Sequence, residues 1–338
     1  MTDKILHASL TRISDLDRVD FACQPLPREQ WELGDYIVGD VTIARGGFSA
    51  VELTTGRVVH AVDGDSVLGA LGVRHATLEV VGSWEKVGAD LRMDLLSAGG
   101  LLGRVTSISG MLGSPMRVAY RGHTTRNGTK VRMQDFAKAP SKARDYEVPT
   151  ILIIGTSMSA GKTTCAKVIV RQLKRAGYRV AGAKLTGAGR YRDILAMQDA
   201  GADAIFDFVD VGLPSSVADR DHFRPRLRDL LGLIAESEPE VVVAEAGASP
   251  LEPYNGDTAL EEIQGSVALT VLCASDPYAV LGVIHGYDMM RPDVVAGVAT
   301  STSAGIEVVE KLSGTKALNM LDPESVPELR ELLTNALR

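Results

Sequence analysis

The residues in this 338-residue chain best suited to chemistry lie in one run: Ile151-Leu152-Ile153-Ile154-Gly155-Thr156-Ser157-Met158-Ser159-Ala160-Gly161-Lys162-Thr163-Thr164. An apolar, β-like stretch enters a loop, and Gly-Lys-Thr opens a helix. That is the context in which a chain of phosphates is gripped. The backbone N–H groups of Thr156, Ser157, Met158, Ser159, Ala160, Gly161, Lys162, Thr163 and Thr164 would surround the anion, helped by the positive end of the helix. Gly161 carries no Cβ to obstruct the approach. Lys162 reaches the β- and γ-phosphates, and the Thr163 hydroxyl suits Mg²⁺. The implied ligands are a nucleoside triphosphate and Mg²⁺. The spacing is unusual: five residues separate Gly155 from Gly161, where the standard loop has four between its glycines, and Thr156 occupies the first-glycine position.

The elements around this loop change character near residue 140. Residues 34–136 carry short β-like runs punctuated by Arg45-Gly46-Gly47, Thr55-Gly56, Asp63-Gly64-Asp65 and Asn127-Gly128. They read as a small barrel or sandwich, with short helical patches expected at 66–71 and 94–96. Polar, proline-bounded residues 138–149 read as a linker. From 150 onward, apolar strands alternate with helical spacing, the pattern of a mostly parallel sheet covered on both faces. The expected fold is therefore α/β: a β-rich N-terminal domain (1–137), a linker, and a P-loop nucleotide-binding domain (150–338).

Composition narrows the function classes. Hydrophobic residues make up 45% and charged residues 23%, as in ordinary globular proteins. Lys plus Arg total 36 against 43 Asp plus Glu, a net charge of -7, which argues against a dominant non-specific grip on nucleic acid. No run reaches the roughly 18 apolar residues of a membrane span, and the first residues do not read as a secretory signal. Cys23, Cys165 and Cys273 are scattered, with no Cys-x-x-Cys pair, so a cytoplasmic protein without disulfides or zinc ribbon is expected. The six histidines have no ligand spacing.

The Gly-Thr-x-x-x-x-Gly-Lys-Thr loop resembles that of dethiobiotin synthetases and the related cobyrinic acid amidating synthetases. The resemblance extends to Tyr178–Gly187, a strand bearing Lys184, and to Val241-Val242-Val243-Ala244-Glu245-Ala246-Gly247-Ala248, similar to the family's strand ending in Glu-Gly-Ala-Gly. It implies that Glu245 and Asp193, with Thr163, are metal ligands, that Lys184 joins Lys162 as a catalytic residue, that ATP is the nucleotide, and that the protein is a homodimer. Leu185 replaces the proline of the urea-ring-closing members, and Ala246-Gly247-Ala248-Ser249-Pro250 alters the glycine-rich tail. The biotin-pathway substrate is therefore not carried over. The whole chain is also similar to uncharacterised bacterial proteins joining a β-rich N-domain to this P-loop domain.

Elementary physics gives the same residues a place. Ligands of a parallel sheet bind beyond the carboxyl ends of its strands, and Gly155, Lys184 and Glu245 each end an expected strand. Thr163, Asp193 and Glu245 offer the oxygen ligands Mg²⁺ prefers, and Lys184 could hold an anionic acceptor. Bland alternatives stand beside these roles: an exposed strand-end lysine, a helix-start acid favoured by the dipole, and a surface ion pair. Asp207 and Asp210 read as a strand with a capping acid in preference to an extension of the metal site or a substrate contact, Asp257 as a helix cap in preference to a substrate contact, Asp276 as a helix cap that could still border the nucleotide, and Cys165 as a core residue in preference to a redox switch. Arg190 and Arg192, flanking Tyr191, read either as binders of an anionic substrate or as solvated. The region 298–301 is the expected base contact, by analogy with the family.

The leading function is an ATP- and Mg²⁺-dependent enzyme that phosphorylates a small anionic metabolite, or ligates it through an acyl phosphate. The alternative is a nucleotide-driven switch or chaperone in cofactor or metal delivery, with loop 185–193 responding to the γ-phosphate. A third is an interaction module that the nucleotide merely stabilises.

Overall fold

The computed structural model describes residues 4–142, 145–247, 249–287 and 291–338. The chain start Met1-Thr2-Asp3, Ala143 and Arg144 of the linker, and Ala248 of the altered tail lie outside the described residues. The chain forms two compact units. One comprises Met1–Lys138, Ala188–Arg192 and Phe208–Ala218, and the other Ala139–Gly187, Asp193–Asp207 and Asp219–Arg338.

The first unit is built on a ten-stranded sheet. Strand Ser66–Leu71 pairs antiparallel with Tyr36–Thr42, which pairs with Arg117–Arg126, then Arg92–Ser97, then Leu101–Ile108. Leu101 and Leu102 then pair in parallel with Ala70 and Leu71, so these five strands close into a ring. Closure leaves no free end within this ring of five strands. Ile37, Val67, Leu71, Met93, Leu102 and Val118 pack with Trp31 in its core.

Segments 66–71 and 94–96 are strand, not helix. Every residue of Ser66–Leu71 is buried. A strand buried on both faces loses its alternation and cannot be told from a helical patch by pattern. Gly69 decides the matter locally, since it lies against Gly100, where a Cβ would come within 2.2 Å of the carbonyl oxygen.

His123 is buried between Tyr120 Oη (2.6 Å from Nδ1) and Asp35 Oδ2 (3.1 Å from Nε2), held by a network rather than by metal-ligand spacing. In the same unit the buried Glu52 carboxylate accepts from the Tyr191 and Arg192 N–H groups at 2.7 and 3.2 Å. The Arg12 guanidinium lies 4.7 Å from the Tyr191 ring centroid. Arg192 is exposed and Arg190 half-buried. Asp210 pairs with Arg12 at 3.5 Å and Lys138 at 3.3 Å.

The second unit is a seven-stranded sheet flanked by helices. Its strands are β1 (Thr150–Gly155), β2 (Val180–Thr186), β3 (Ala204–Asp207), β4 (Val241–Ala246), β5 (Val267–Ala274), β6 (Val294–Gly297) and β7 (Lys316–Ala317). They lie in the order β3-β2-β4-β1-β5-β6-β7, every pair parallel. The helices are α1 (Lys162–Arg175), α2 (Tyr191–Asp199), α3 (Arg220–Glu236), α4 (Gly256–Ile263), α5 (Pro277–Gly286), α6 (Ser303–Ser313) and α7 (Val326–Ala336). Every residue of β1, β2 and β4 is buried, as a sheet covered on both faces requires. α1 turns Cys165, Ala166, Ile169, Val170 and Leu173 into the core, an amphipathic stripe at helical spacing. Gly177, at φ +95°, ends that helix in the left-handed region. Cys165 is thus a core residue, as expected. No described helix is long and apolar enough to cross a membrane.

Replacing Gly69 with Ala forces a methyl into backbone and should destabilise the first unit by about 1–3 kcal/mol. Gly265→Ala, with nothing near its added Cβ, should stay within about 0.5 kcal/mol. Thermal melts of the two variants check the contrast, and equal melting points would contradict the closed ring.

Candidate phosphate-binding site

β1 delivers the chain from the middle of the sheet into the loop 156–161, and α1 carries it away. Thr156 ties the loop to the next strand: its N–H donates to Cys273 O at 3.0 Å, and its hydroxyl accepts from the Ser275 N–H at 3.1 Å. Ser157 Oγ donates to Met158 O at 2.9 Å. Ser159 is exposed and takes φ +62°. Ala160 is fully buried, and its carbonyl accepts from the Val298 N–H at 3.4 Å.

Gly161, at φ +103°, is the N-cap of α1 and offers no side-chain cap to the first-turn N–H groups. Gly297, at φ +94°, lies so close that a Cβ on it would stand 2.2 Å from Ala160 O. Two glycines in the left-handed region therefore let two backbone segments touch beside the loop.

Lys162 folds back over the loop and donates to Ser157 O at 2.7 Å, with the residue only 6% exposed. Burial lowers its pKa, and the Glu245 carboxylate works against that shift. Strand, turn, glycine and lysine thus occupy the arrangement of a phosphate-binding loop. The second unit is a P-loop domain.

The sheet register assembles the remaining candidates. Lys184 stands beside Glu245 on one side and Asp207 on the other, while Glu245 pairs with Ile153 of β1. Thr163 Oγ1 donates to Glu245 Oε2 at 3.1 Å. Lys184 Nζ donates to Asp193 Oδ2, in the first turn of α2, at 2.5 Å. Burial opposes the charge on Lys184, but Asp193, Glu245 and Asp207 outweigh it and hold its pKa above the ordinary value. Burial also pushes the Glu245 carboxyl upward, against the pull of Lys184. Lys162, Thr163, Lys184, Asp193 and Glu245 thus form one cluster, while Thr164 is exposed and Met158 half-buried.

Among the described residues no three His, Cys, Asp or Glu side chains are arranged to hold a metal ion. The Thr163 hydroxyl and Glu245 carboxylate are a pair of hard oxygen donors compatible with Mg²⁺. Asp193, expected as a third ligand, is bonded to an ammonium instead.

Two acids were missed or discounted in the sequence. Asp207 favours the second of its two readings: it is no bland strand-end acid but is fully buried beside Lys184. Glu252, buried in the loop after β4, is marked in the sequence only as an acid between two prolines shortly after a strand end. Asp257 is not a cap: Asn255, at φ +57°, holds the N-cap position of α4, and Asp257 Oδ1 accepts from the Thr258 N–H within the first turn. Gly256 packs against Pro250, which fixes the helix start ahead of Asp257. Asp276 does cap α5, accepting from the Tyr278 and Ala279 N–H groups at 2.9 and 3.0 Å. The stretch Val298–Thr300 is a 3₁₀ turn after β6, with Val298 exposed.

No protein-family model matches the chain, and no curated protein does. Solved structures similar to it include chloroplast FtsY from Physcomitrella patens, 11% identical over 61% of this chain and 70% of that one, with a TM-score of 0.36. HypB from Helicobacter pylori in complex with nickel is 11% identical over 57% and 88%, with a TM-score of 0.37. A DUF1611 family protein from Anabaena variabilis is 16% identical over 63% and 65%, with a TM-score of 0.33. At such scores these likenesses carry no argument on function, and the P-loop assignment rests on the topology and loop geometry of the chain itself.

Lys184→Met leaves three carboxylates without their ammonium and should destabilise the protein by about 3–5 kcal/mol. Adding Asp193→Asn should cost less than the sum of the single changes, by about 0.5–3 kcal/mol. Urea unfolding of the double-mutant cycle measures this, and strict additivity would show that the pair is not coupled.

Proposed function

We propose that this protein binds a nucleoside triphosphate with Mg²⁺ at the P-loop and works as a nucleotide-driven switch. The observation that carries the reading is the Lys184–Asp193 bond beside the loop. A γ-phosphate placed against Lys162 would offer Lys184 a second, more highly charged anion. Lys184 would trade Asp193 for it, freeing the first turn of α2, and loss of the phosphate would restore the pair.

Each residue has a stated task in this cycle. The loop amides and Lys162 hold the β- and γ-phosphates and stabilise charge as it moves. Thr163 and Glu245 would hold Mg²⁺, which supplies charge neutralisation at the phosphates when bound. ATP is the preferred nucleotide on the loop's resemblance to dethiobiotin synthetases. That same resemblance supports the metabolite-phosphorylating or ligating reading. An anionic metabolite, however, would have to compete with Asp193 for Lys184, so the switch receives the better support. Delivery of a cofactor or metal is the kind of task such a switch would serve.

Mg·ATP at 100-fold over its Kd should stabilise the fold by about 2.7 kcal/mol, and Lys162→Ala should abolish the gain. Melting curves with ATP and GTP side by side test this. Phosphate release without any added metabolite supports the switch. Release that begins only when a metabolite mixture is added supports the kinase or ligase reading, and absence of any shift rejects the nucleotide site.

A further inference from the structure

Lys184 meets Asp193 through a hydrogen bond and Asp207 through the sheet register. Both acids border the first unit along the chain. Helix α2 starts inside that unit: Tyr191 and Arg192 belong to it, and Asp193 belongs to the second. Strand β3 ends at Asp207, and the next residues, Phe208–Ala218, belong to the first unit again. Each acid therefore stands one peptide bond from a segment that the first unit holds.

The hold is firm. Ala188 forms an antiparallel bridge with Ser215, and the Gly189 N–H donates to Pro214 O at 3.2 Å, so the two segments are tied to each other. A Cβ on Gly99 would stand 2.5 Å from Gly189 O. Ser215 Oγ donates to Val73 O at 2.7 Å. Phe208, Val209, Val211 and Leu213 are each at most 1% exposed.

Glu52 makes the contact that matters most for α2. The first N–H groups of a helix have no partner within it. Arg190, the residue before α2, carries only donors and cannot supply a cap. Glu52 does so instead: one carboxylate oxygen accepts from the Tyr191 N–H at 2.7 Å and the other from the Arg192 N–H at 3.2 Å. Its negative charge also suits the positive end of the helix. The Ser9 hydroxyl donates to the oxygen that takes Tyr191, and Glu52 itself is fully buried.

We propose that Glu52 is a positioning residue for the nucleotide site, acting through α2 and Asp193. By capping α2 it fixes where Asp193, the third residue of that helix, meets Lys184. It thereby sets how readily Lys184 exchanges Asp193 for a γ-phosphate. The inference rests on the switch reading above. Such coupling is reciprocal. A cap that favours the Lys184–Asp193 bond is itself weakened when a γ-phosphate takes Lys184, so the first unit senses the nucleotide through Glu52.

The test measures the affinity of the full chain, with Mg²⁺, for a diphosphate and for its β,γ-imido triphosphate. The nucleoside is whichever of adenosine and guanosine stabilises the wild-type chain. Glu52→Gln keeps the shape of the side chain but loses its charge and one of its two acceptors. It should raise the affinity for the triphosphate relative to the diphosphate by about 2–30-fold, the range for loss of a helix cap. Asp193→Asn should raise the same ratio, and adding Glu52→Gln to it should change the ratio by less than about twofold. A ratio that Glu52→Gln leaves unchanged overturns the proposal. So does an equal loss of both affinities, which marks a structural residue, and so does a full additive effect in the Asp193→Asn background. Should Glu52→Gln not fold, hydrogen exchange of the wild-type chain decides. Its Tyr191 and Arg192 amides should exchange faster with the triphosphate than with the diphosphate, and equal rates overturn the proposal. A wild-type chain that no such nucleotide stabilises overturns the nucleotide reading and this inference with it. A chain that binds both ligands without these effects overturns this inference alone.

Discussion

Two ammonium groups buried at the carboxyl edge of a parallel sheet set the terms for the rest of the second unit. Removing a charged lysine from water is costly unless an opposite charge stands beside it. Lys184 meets that condition through Asp193, Glu245 and Asp207, and its proton is held more firmly than usual. Lys162 meets it only in part: burial weakens its hold on the proton, and its bond is to a neutral carbonyl, Ser157 O. A site in which one lysine is saturated and the other under-compensated favours an anion at the second. That asymmetry, rather than the lysine count, gives the loop its direction.

The register of the sheet makes the cluster possible. Because β2, β3 and β4 run parallel, their last residues arrive side by side at one edge, and β1, paired with β4, opens the P-loop there. The loop is pressed against the end of β6 through Gly161 and Gly297. Neither position tolerates a Cβ without strain, given their φ values and the Ala160 carbonyl between them. Charge placement and backbone contact therefore depend on the same strand order, β4-β1-β5-β6.

The two units differ in how openly their sequences declare them. In the second, α1 has the 3.6-residue periodicity of a helix covering a sheet, β1 is a clean apolar run, and Gly177 stops the helix where a left-handed residue is needed. In the first, Ser66–Leu71 and Arg92–Ser97 are strands buried nearly throughout. Their alternation is erased because both faces meet other parts of the unit, so short apolar patches there mimic helix. The closing pair, Leu101 with Ala70, joins residues with no mark of partnership in the chain.

For the site, local spacing was enough to single out Lys162, Thr163 and the loop from Thr156 to Gly161, because a phosphate grip is made by neighbours along the chain. Lys184 and Glu245 were readable as strand ends. That Lys184 bonds to Asp193, that Asp207 joins it and that Glu245 takes the Thr163 hydroxyl were decided only in three dimensions. Those relations join residues as far apart as 82 positions along the chain, and the distance and burial between such residues come from the order of strands in the sheet, which no local pattern of residue types encodes.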